Sequence, residues 1–134
     1  MGKSGKPFSF AWVRRSLNEV LTDHKLASLG DSYVNFVYSL VMSNRKGEPL
    51  GIKVKGSMLA EALRKARLRQ YLPSRMSRHA LADAAESLMV YAWLSNCITV
   101  GESVTVIEKE KDPVEGLSQL LTVIKSRITF PSEL

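Results

Sequence analysis

Features that would mark several protein classes are scarce in this sequence. It contains one cysteine, Cys97, so no disulfide bond can form within the chain, as is typical of a reducing compartment. No apolar run approaches the ~20 residues that cross a bilayer, and the basic start "MGKSGKPFSF" lacks the apolar stretch of a signal peptide. Cysteine and histidine do not occur at zinc-site spacing. We therefore predict a cytoplasmic protein that has no membrane partner.

Acidic residues are almost absent between Lys53 and His79, a stretch that we call the basic segment. It contains eight lysine and arginine residues and one acid, Glu61, so its net charge is +7. The rest of the chain carries −1, although the whole chain carries +6. Because the positive charge is local, it favours a polyanionic partner such as nucleic acid. The alternative interpretation of such a charge run is a solvated helix face.

Hydrophobic periodicity predicts helices and no paired strands. Apolar residues make up 45% of the 134 residues, which is enough for one hydrophobic core. Residues 98–107 are rich in β-branched side chains, but no second strand is available to pair with them, so a turn and a short helix are predicted there. The predicted fold class is all-α, a single domain over residues 1–134 with five to seven helices. The longer helices are predicted over residues 7–22, 26–43, 57–69, 77–96 and 113–128, with Ser57 and Ser77 as N-caps.

Three acids lie on two helices that otherwise have the pattern of core helices. Asp31 lies in "LASLGDSYVNF", and Asp83 and Glu86 lie in "RHALADAAESLMVYAW". An unpaired buried charge costs several kcal/mol, and like charges three residues apart on a helix repel. If the two helices pack together, the three carboxylates converge and supply oxygen ligands suited to Mg²⁺ or Mn²⁺. The alternative for each acid is a solvated side chain or a helix cap.

The same two stretches resemble motifs of the ribonuclease III family. "LASLGDSYVNF" resembles its Leu-Gly-Asp motif, and "LADAAESLMVYAWL" resembles its Ala-Asp-x-x-Glu-Ala-Leu helix. The resemblance covers residues 26–96 and implies an all-α endonuclease domain that dimerises and cuts double-stranded RNA with Mg²⁺ or Mn²⁺. It places Asp31, Asp83 and Glu86 on the family's metal and catalytic positions.

Ala27 departs from the family pattern, because the full-length enzymes have a glutamate one turn before the aspartate. The compact mini-ribonuclease III subgroup also has alanine there and lacks a double-stranded-RNA-binding domain, so the chain resembles a minimal form of bacterial or archaeal type. "VKGSMLAEAL" resembles the Lys-Ser helix start of that subgroup, which implies that Lys55 lies near the phosphates. Arg64, Arg67 and Arg78 of the basic segment are predicted to bind RNA with it.

The predicted function is therefore metal-dependent hydrolysis of phosphodiesters in double-stranded or structured RNA. Dimerisation is implied by the resemblance, and the large side chains Tyr33, Phe36, Tyr38, Tyr91 and Trp93 indicate surplus apolar surface for a symmetric interface. One alternative is a weakly active or inactive ribonuclease III-like domain that binds structured RNA or acts as an assembly factor for a ribonucleoprotein. Another is a helical module whose basic amphipathic helix binds an acidic protein.

Overall fold

The computed structural model describes residues 8–12 and 16–130, and all regular elements within these residues are helical. The all-α prediction is confirmed, and the helix count lies within the predicted range. None of the described helices is both long and apolar enough to span a membrane. The α-helices are α1 (Leu17–Leu21), α2 (His24–Lys46), α3 (Gly56–Lys65), α4 (Arg78–Leu94), α5 (Val100–Glu108) and α6 (Pro113–Arg127), and two 3₁₀ helices cover Ser9–Trp12 and Arg69–Tyr71.

Two of the predicted helix starts are wrong. Residues 7–22 do not form one helix, because Ser16 adopts an extended conformation and its hydroxyl caps α1 by accepting the N–H of Glu19. Residues 7 and 13–15 of that prediction lie outside the described residues. The N-cap of α3 is Lys55, so Ser57 is the second residue of the helix and does not cap it. By contrast, Ser77 caps α4 as predicted, and residues 100–108 are helical.

Helix α4 is the centre of the fold. It packs against α1, α2, α3 and α6, and most of its residues are buried, as is typical of a helix that is apolar all round. Two of its buried residues are polar, Glu86 and Ser87. The Ser87 hydroxyl donates to the backbone oxygen of Asp23, 3.0 Å away, just before α2 begins. The Ser87 hydroxyl thus ties α4 to the start of α2.

Helices α2 and α4 approach most closely at Gly30. A Cβ atom at this position would overlap the backbone carbonyl oxygen of Glu86 and lie 2.6 Å from its carbonyl carbon. Only glycine therefore allows the two backbones to come this near. The neighbouring Asp31 is thereby held beside Glu86 on the opposite helix.

An extended segment over residues 50–54 is fixed to α2 by side chains instead of by a second strand. Polar side chains spaced four residues apart on α2 bind every second residue of the segment, and we call this arrangement the polar ladder. Two serine hydroxyls each accept the N–H of a ladder residue and donate to its carbonyl oxygen, over 2.9–3.2 Å. The pairs are Ser43 with Leu50, Ser39 with Ile52, and Asn35 with Val54.

The Gly30→Ala substitution should destabilise the protein, because the added methyl group overlaps backbone atoms of α4. We expect the free energy of unfolding to fall by about 3 kcal/mol, the upper range for an overpacked core, as measured by urea denaturation. Gly101→Ala is the matched control, since its Cβ would meet nothing nearer than 3.9 Å and should leave stability unchanged or raise it by up to about 1 kcal/mol. Equal effects of the two substitutions would contradict the close approach.

Candidate active site

The centre of the candidate site is the contact between the carboxyl groups of Asp31 and Glu86. Asp31 is exposed at the edge of α2, whereas Glu86 is only 8% exposed on α4. The two carboxyl groups lie within hydrogen-bonding reach of each other, and a hydrogen bond between them requires a proton on one, because two carboxylates can only accept. The structure thus brings together the two acids that the sequence motifs place on separate helices.

Glu86 is the member of this pair that holds the proton. Burial is the largest cause that raises the pKa of Glu86, and together with the contact and the negative charge of Asp31 it brings this pKa from its usual value near 4.5 to about 8. The charge of Asp83 also raises the pKa of Glu86, while Lys53 acts in the opposite sense. At neutral pH and without a counter-ion, Glu86 therefore donates to Asp31.

Asp83 faces a histidine that was not among the predicted site residues. Its Oδ2 lies 4.0 Å from Nδ1 of His24, and both side chains are substantially exposed. His24 is the first residue of α2, and it precedes Asp31 by seven residues, which is the spacing of one helix face. That spacing was the available signal for His24, but the sequence alone does not show that Asp83 on α4 lies opposite.

Asn35 is a second site residue that sequence analysis missed. Its Oδ1 accepts the N–H of Val54 at 2.8 Å, so its amide nitrogen is directed the other way and donates to Oδ1 of Asp31 over 3.4 Å. Asn35 follows Asp31 by four residues, the spacing at which helical side chains meet. The last pair of the polar ladder therefore orients an acid of the site.

The donor set fits a hard divalent cation at the Asp31–Glu86 pair. Its ligands would be carboxylate oxygens, which Mg²⁺ and Mn²⁺ prefer, and a cation there would offset both the burial and the repulsion that disfavour the ionised form of Glu86. Over residues 8–12 and 16–130, no group of three or more histidine, cysteine, aspartate or glutamate side chains is assembled for a metal ion. Asp83 therefore adds charge to the site from beside His24 without joining the hydrogen-bonded pair.

Some cations of the basic segment already have partners within the protein. Arg64 pairs with Glu61 at 2.8 Å, and Lys65 pairs with Glu115 at 2.5 Å. Arg69 donates to backbone carbonyls of the loop that follows it. Within the described part of the chain, no ion pair holds Lys55, Arg67, Arg75 or Arg78.

Ala27 is buried, with 4% of its surface exposed. It lies one turn before Asp31 on α2 and, like Gly30, belongs to the buried residues of that helix. A glutamate here would have to displace packed neighbours or extend past them to reach the site. Asp31 is therefore the one acidic residue of α2.

Comparison with known protein families agrees with this all-helical fold. The sequence model of the family described as Ribonuclease III matches residues 24–128, from the start of α2 to just beyond α6. The chain therefore belongs to the ribonuclease III family, as the two motifs predicted. Members of this family act on structured RNA and generally use divalent metal ions. No curated protein matches the chain.

The raised pKa of Glu86 predicts a stability that depends on pH. Because the folded-state pKa of about 8 lies above the unfolded value, the folded protein binds the extra proton between these two pH values. In metal-free buffer, the free energy of unfolding should therefore fall as the pH rises from about 4.5 to about 8, by at most about 1.4 kcal/mol per pH unit from this group. Chemical denaturation at several pH values measures this slope.

The Glu86→Gln variant should lose this part of the slope, because glutamine does not titrate. Glu48→Gln is the control, since Glu48 is exposed in the loop after α2, and its slope should match that of the unmodified protein. A slope that is the same in Glu86→Gln would show that the carboxyl pair does not share a proton.

Proposed function

We propose that this protein is a metal-dependent endoribonuclease that hydrolyses phosphodiesters in double-stranded or structured RNA. The single observation that supports this most is the buried carboxyl pair of Asp31 and Glu86 on the two family motifs. We further propose that the protein is cytoplasmic, acts as a homodimer and uses Mg²⁺ or Mn²⁺.

Asp31 and Glu86 would hold the cation, with Asp83 in or just outside its ligand shell. The chemistry that Mg²⁺ or Mn²⁺ supplies when bound is polarisation of a phosphoryl oxygen and activation of water. To act as a ligand, Glu86 must give up its proton, so metal binding and proton release are linked. Asn35 holds the Asp31 carboxylate in place through its own bond to Val54, and His24 does the same for Asp83 by charge when it is protonated.

The reaction adds water across one P–O3′ bond of the RNA. The attacking water loses a proton as its oxygen bonds to phosphorus, and the departing O3′ gains one, which leaves a 5′-phosphate and a 3′-hydroxyl. Carboxylates beside a phosphate chain would repel it, so cationic side chains are required close by. Lys55, Arg64, Arg67 and Arg78 are the proposed phosphate contacts, and Arg64 would first have to leave its exposed ion pair with Glu61. Lys53 lies near enough to Glu86 for its charge to act on it.

Recognition of the duplex would follow the shape of the RNA. The minor groove of A-form RNA is wide and shallow, and proteins contact its sugars and phosphates with little base readout. Arg64 and Arg67 lie near the end of α3, about 12 Å or more from its start at 1.5 Å per residue. Contacts at both ends of α3 would span more than one phosphate of a strand.

The proposed homodimer has a candidate surface on α2. Leu29 and Phe36 are 42% and 56% exposed and lie seven residues apart on one side of the helix. Phe36 also borders a groove formed with residues 49–53. Such exposed apolar residues on one face are typical of an interface between subunits.

The alternative proposal is a ribonuclease III-like domain that binds structured RNA without cutting it. The buried Ala27 favours it, because the site then has one carboxylate fewer than the full-length enzymes. In that case the basic segment would bind RNA as proposed, and the acids would not take part in catalysis.

Incubation with long double-stranded RNA and Mg²⁺ or Mn²⁺ separates the two proposals. We expect cleavage, and Asp31→Asn and Glu86→Gln should each reduce it by more than the ~10–100-fold typical of partners outside the ligand shell, while Asn35→Ala should fall within that range. Glu48→Gln is the control and should cut at the unmodified rate. RNA binding without cleavage under both metals would support the alternative, and cleavage that survives Glu86→Gln would overturn the proposed site.

Arg67 allows a separate test of RNA binding. It has a left-handed conformation, with φ of 62°, at the end of α3, and Asn96 has φ of 61° at the same position after α4. The two helix ends share one bonding pattern, in which the next N–H returns to a carbonyl five residues earlier. A residue with a Cβ atom is disfavoured there by about 1 kcal/mol relative to glycine, so arginine at this position lowers the stability of the fold.

Arg67→Gly should therefore stabilise the fold and weaken RNA binding at the same time. Replacing one phosphate contact should lower the slope of log affinity against log salt concentration by about one. Asn96→Gly is the matched control, because it relaxes the same backbone position without removing a charge and should leave RNA affinity unchanged. If the two variants bind RNA equally well, Arg67 does not contact phosphate.

A further inference from the structure

A second polar site lies beside the acids, where the first turns of α3 and α4 meet. These two turns form a surface pocket of about 490 Å³ that is lined by Lys55, Gly56, Ser57, Arg78 and His79. Every lining residue belongs to the first two positions or the N-cap of its helix. The pocket therefore combines side chains that carry or can carry positive charge with the starts of two helices.

The backbone around this pocket is suited to an anion. The first N–H groups of a helix have no acceptor within it, and the helix dipole places partial positive charge there. At the start of α3, Lys55 makes no side-chain cap, and at the start of α4 the Ser77 hydroxyl satisfies only the N–H of Ala80. A Cβ atom at Gly56 would lie 3.7 Å from that of Ala82, so the start of α3 lies close to α4 at this point.

The cationic side chains of this pocket are available to a ligand. Across the described residues, no hydrogen bond or ion pair is made by the side chains of Lys55, Arg78 or His79. Arg64 and Lys65, farther along α3, are by contrast held by Glu61 and Glu115. Two helix starts and three available donors around one cavity match the several acceptor oxygens of a single phosphate group.

The pocket is next to the candidate active site along α4. His79 precedes Asp83 by four residues and Glu86 by seven, so it lies on their side of the helix, about 6 Å from Asp83 and about 10.5 Å from Glu86 along the axis. An RNA strand that places one phosphate at the Asp31–Glu86 pair and runs along α4 towards its N-terminus would reach this pocket.

From this arrangement we infer that the pocket formed by Lys55, Ser57, Arg78 and His79 binds one backbone phosphate of the RNA, adjacent to the phosphate that is cut. This inference rests on the proposed function for the position of the RNA, but the phosphate site itself does not. Its role is positioning: by fixing the neighbouring phosphate, it sets which bond lies at the acids. His79 is thereby assigned to phosphate binding.

The first experiment needs no RNA. The full chain, labelled with ¹⁵N, is titrated with inorganic phosphate against a chloride control of equal ionic strength, and the backbone amide shifts are followed by NMR. We expect saturable shifts at Gly56, Ser57, Arg78 and His79. Shifts that do not saturate, or that spread over all cationic residues alike, would overturn the pocket whether or not the protein cuts RNA.

Matched variants sharpen this titration. Lys55→Gln combined with His79→Gln should weaken phosphate binding at these amides about tenfold or more, the effect of losing a hydrogen bond to a charged group. Arg75→Gln combined with Lys109→Gln removes two exposed cations outside the pocket and should leave the titration unchanged. If both double variants weaken phosphate binding equally, the binding comes from overall positive charge and not from the pocket, which would overturn the inference.

The second experiment identifies which phosphate is bound. RNA duplexes that carry a single uncharged methylphosphonate linkage, moved stepwise along the strand, are assayed for binding to the Asp31→Asn protein. We expect one linkage, next to the cleavage site, to weaken binding, and this loss should disappear when Lys55 and His79 are both glutamine. A loss that instead follows removal of the 5′-terminal phosphate would assign the pocket to a strand end and overturn the backbone assignment. Phosphate binding in a protein that cuts no RNA would support the pocket and refute the proposed function.

Discussion

The near contact of the α2 and α4 backbones at Gly30 is the constraint on which the rest of the site depends. It buries Glu86 next to Asp31, and burial of a carboxyl group beside another raises the free energy of its ionised form. A fold whose only task was stability would place an apolar residue at 86, because an unpaired buried charge is costly. The core thus maintains a site that is poised for positive charge, whether a proton or a metal ion occupies it.

Much of this arrangement could be predicted from the sequence, because the helical period shows which residues share one face of a helix. Asp83 and Glu86 stand out as acids on an apolar helix, and Asp31 stands out beside a glycine. The family, the all-α class and the Ser77 cap follow from local pattern alone. These features share one property, which is that each is encoded within a few turns of one helix.

Features that join distant segments could not be predicted in the same way. His24 lies opposite Asp83, and Asn35 binds Val54, but the sequence around His24 or Asn35 does not indicate which distant residue it contacts. The aromatic residues show the same limit: Tyr33, Tyr38 and Tyr91 are buried in the core, although composition counted them as surplus for an interface. The basic segment has a net charge that sequence gives correctly, yet only the packing decides that Lys65 is held by Glu115 while Lys55 is not.

The polar ladder has a consequence for how the protein meets a ligand. Four residues of a helix advance about 6.0 Å and two residues of an extended chain about 6.6 Å, so α2 and residues 50–54 keep step over three pairs as two strands would. Lys53 lies within this segment and Lys55 directly follows it, so the backbone that carries these two lysines is ordered without a ligand. The conformational entropy of that segment is lost during folding and not during association. Residues 50–54 have the composition of a loop, yet α2 holds both this segment and Asp31. The position of the cations relative to the acids is therefore set by one helix.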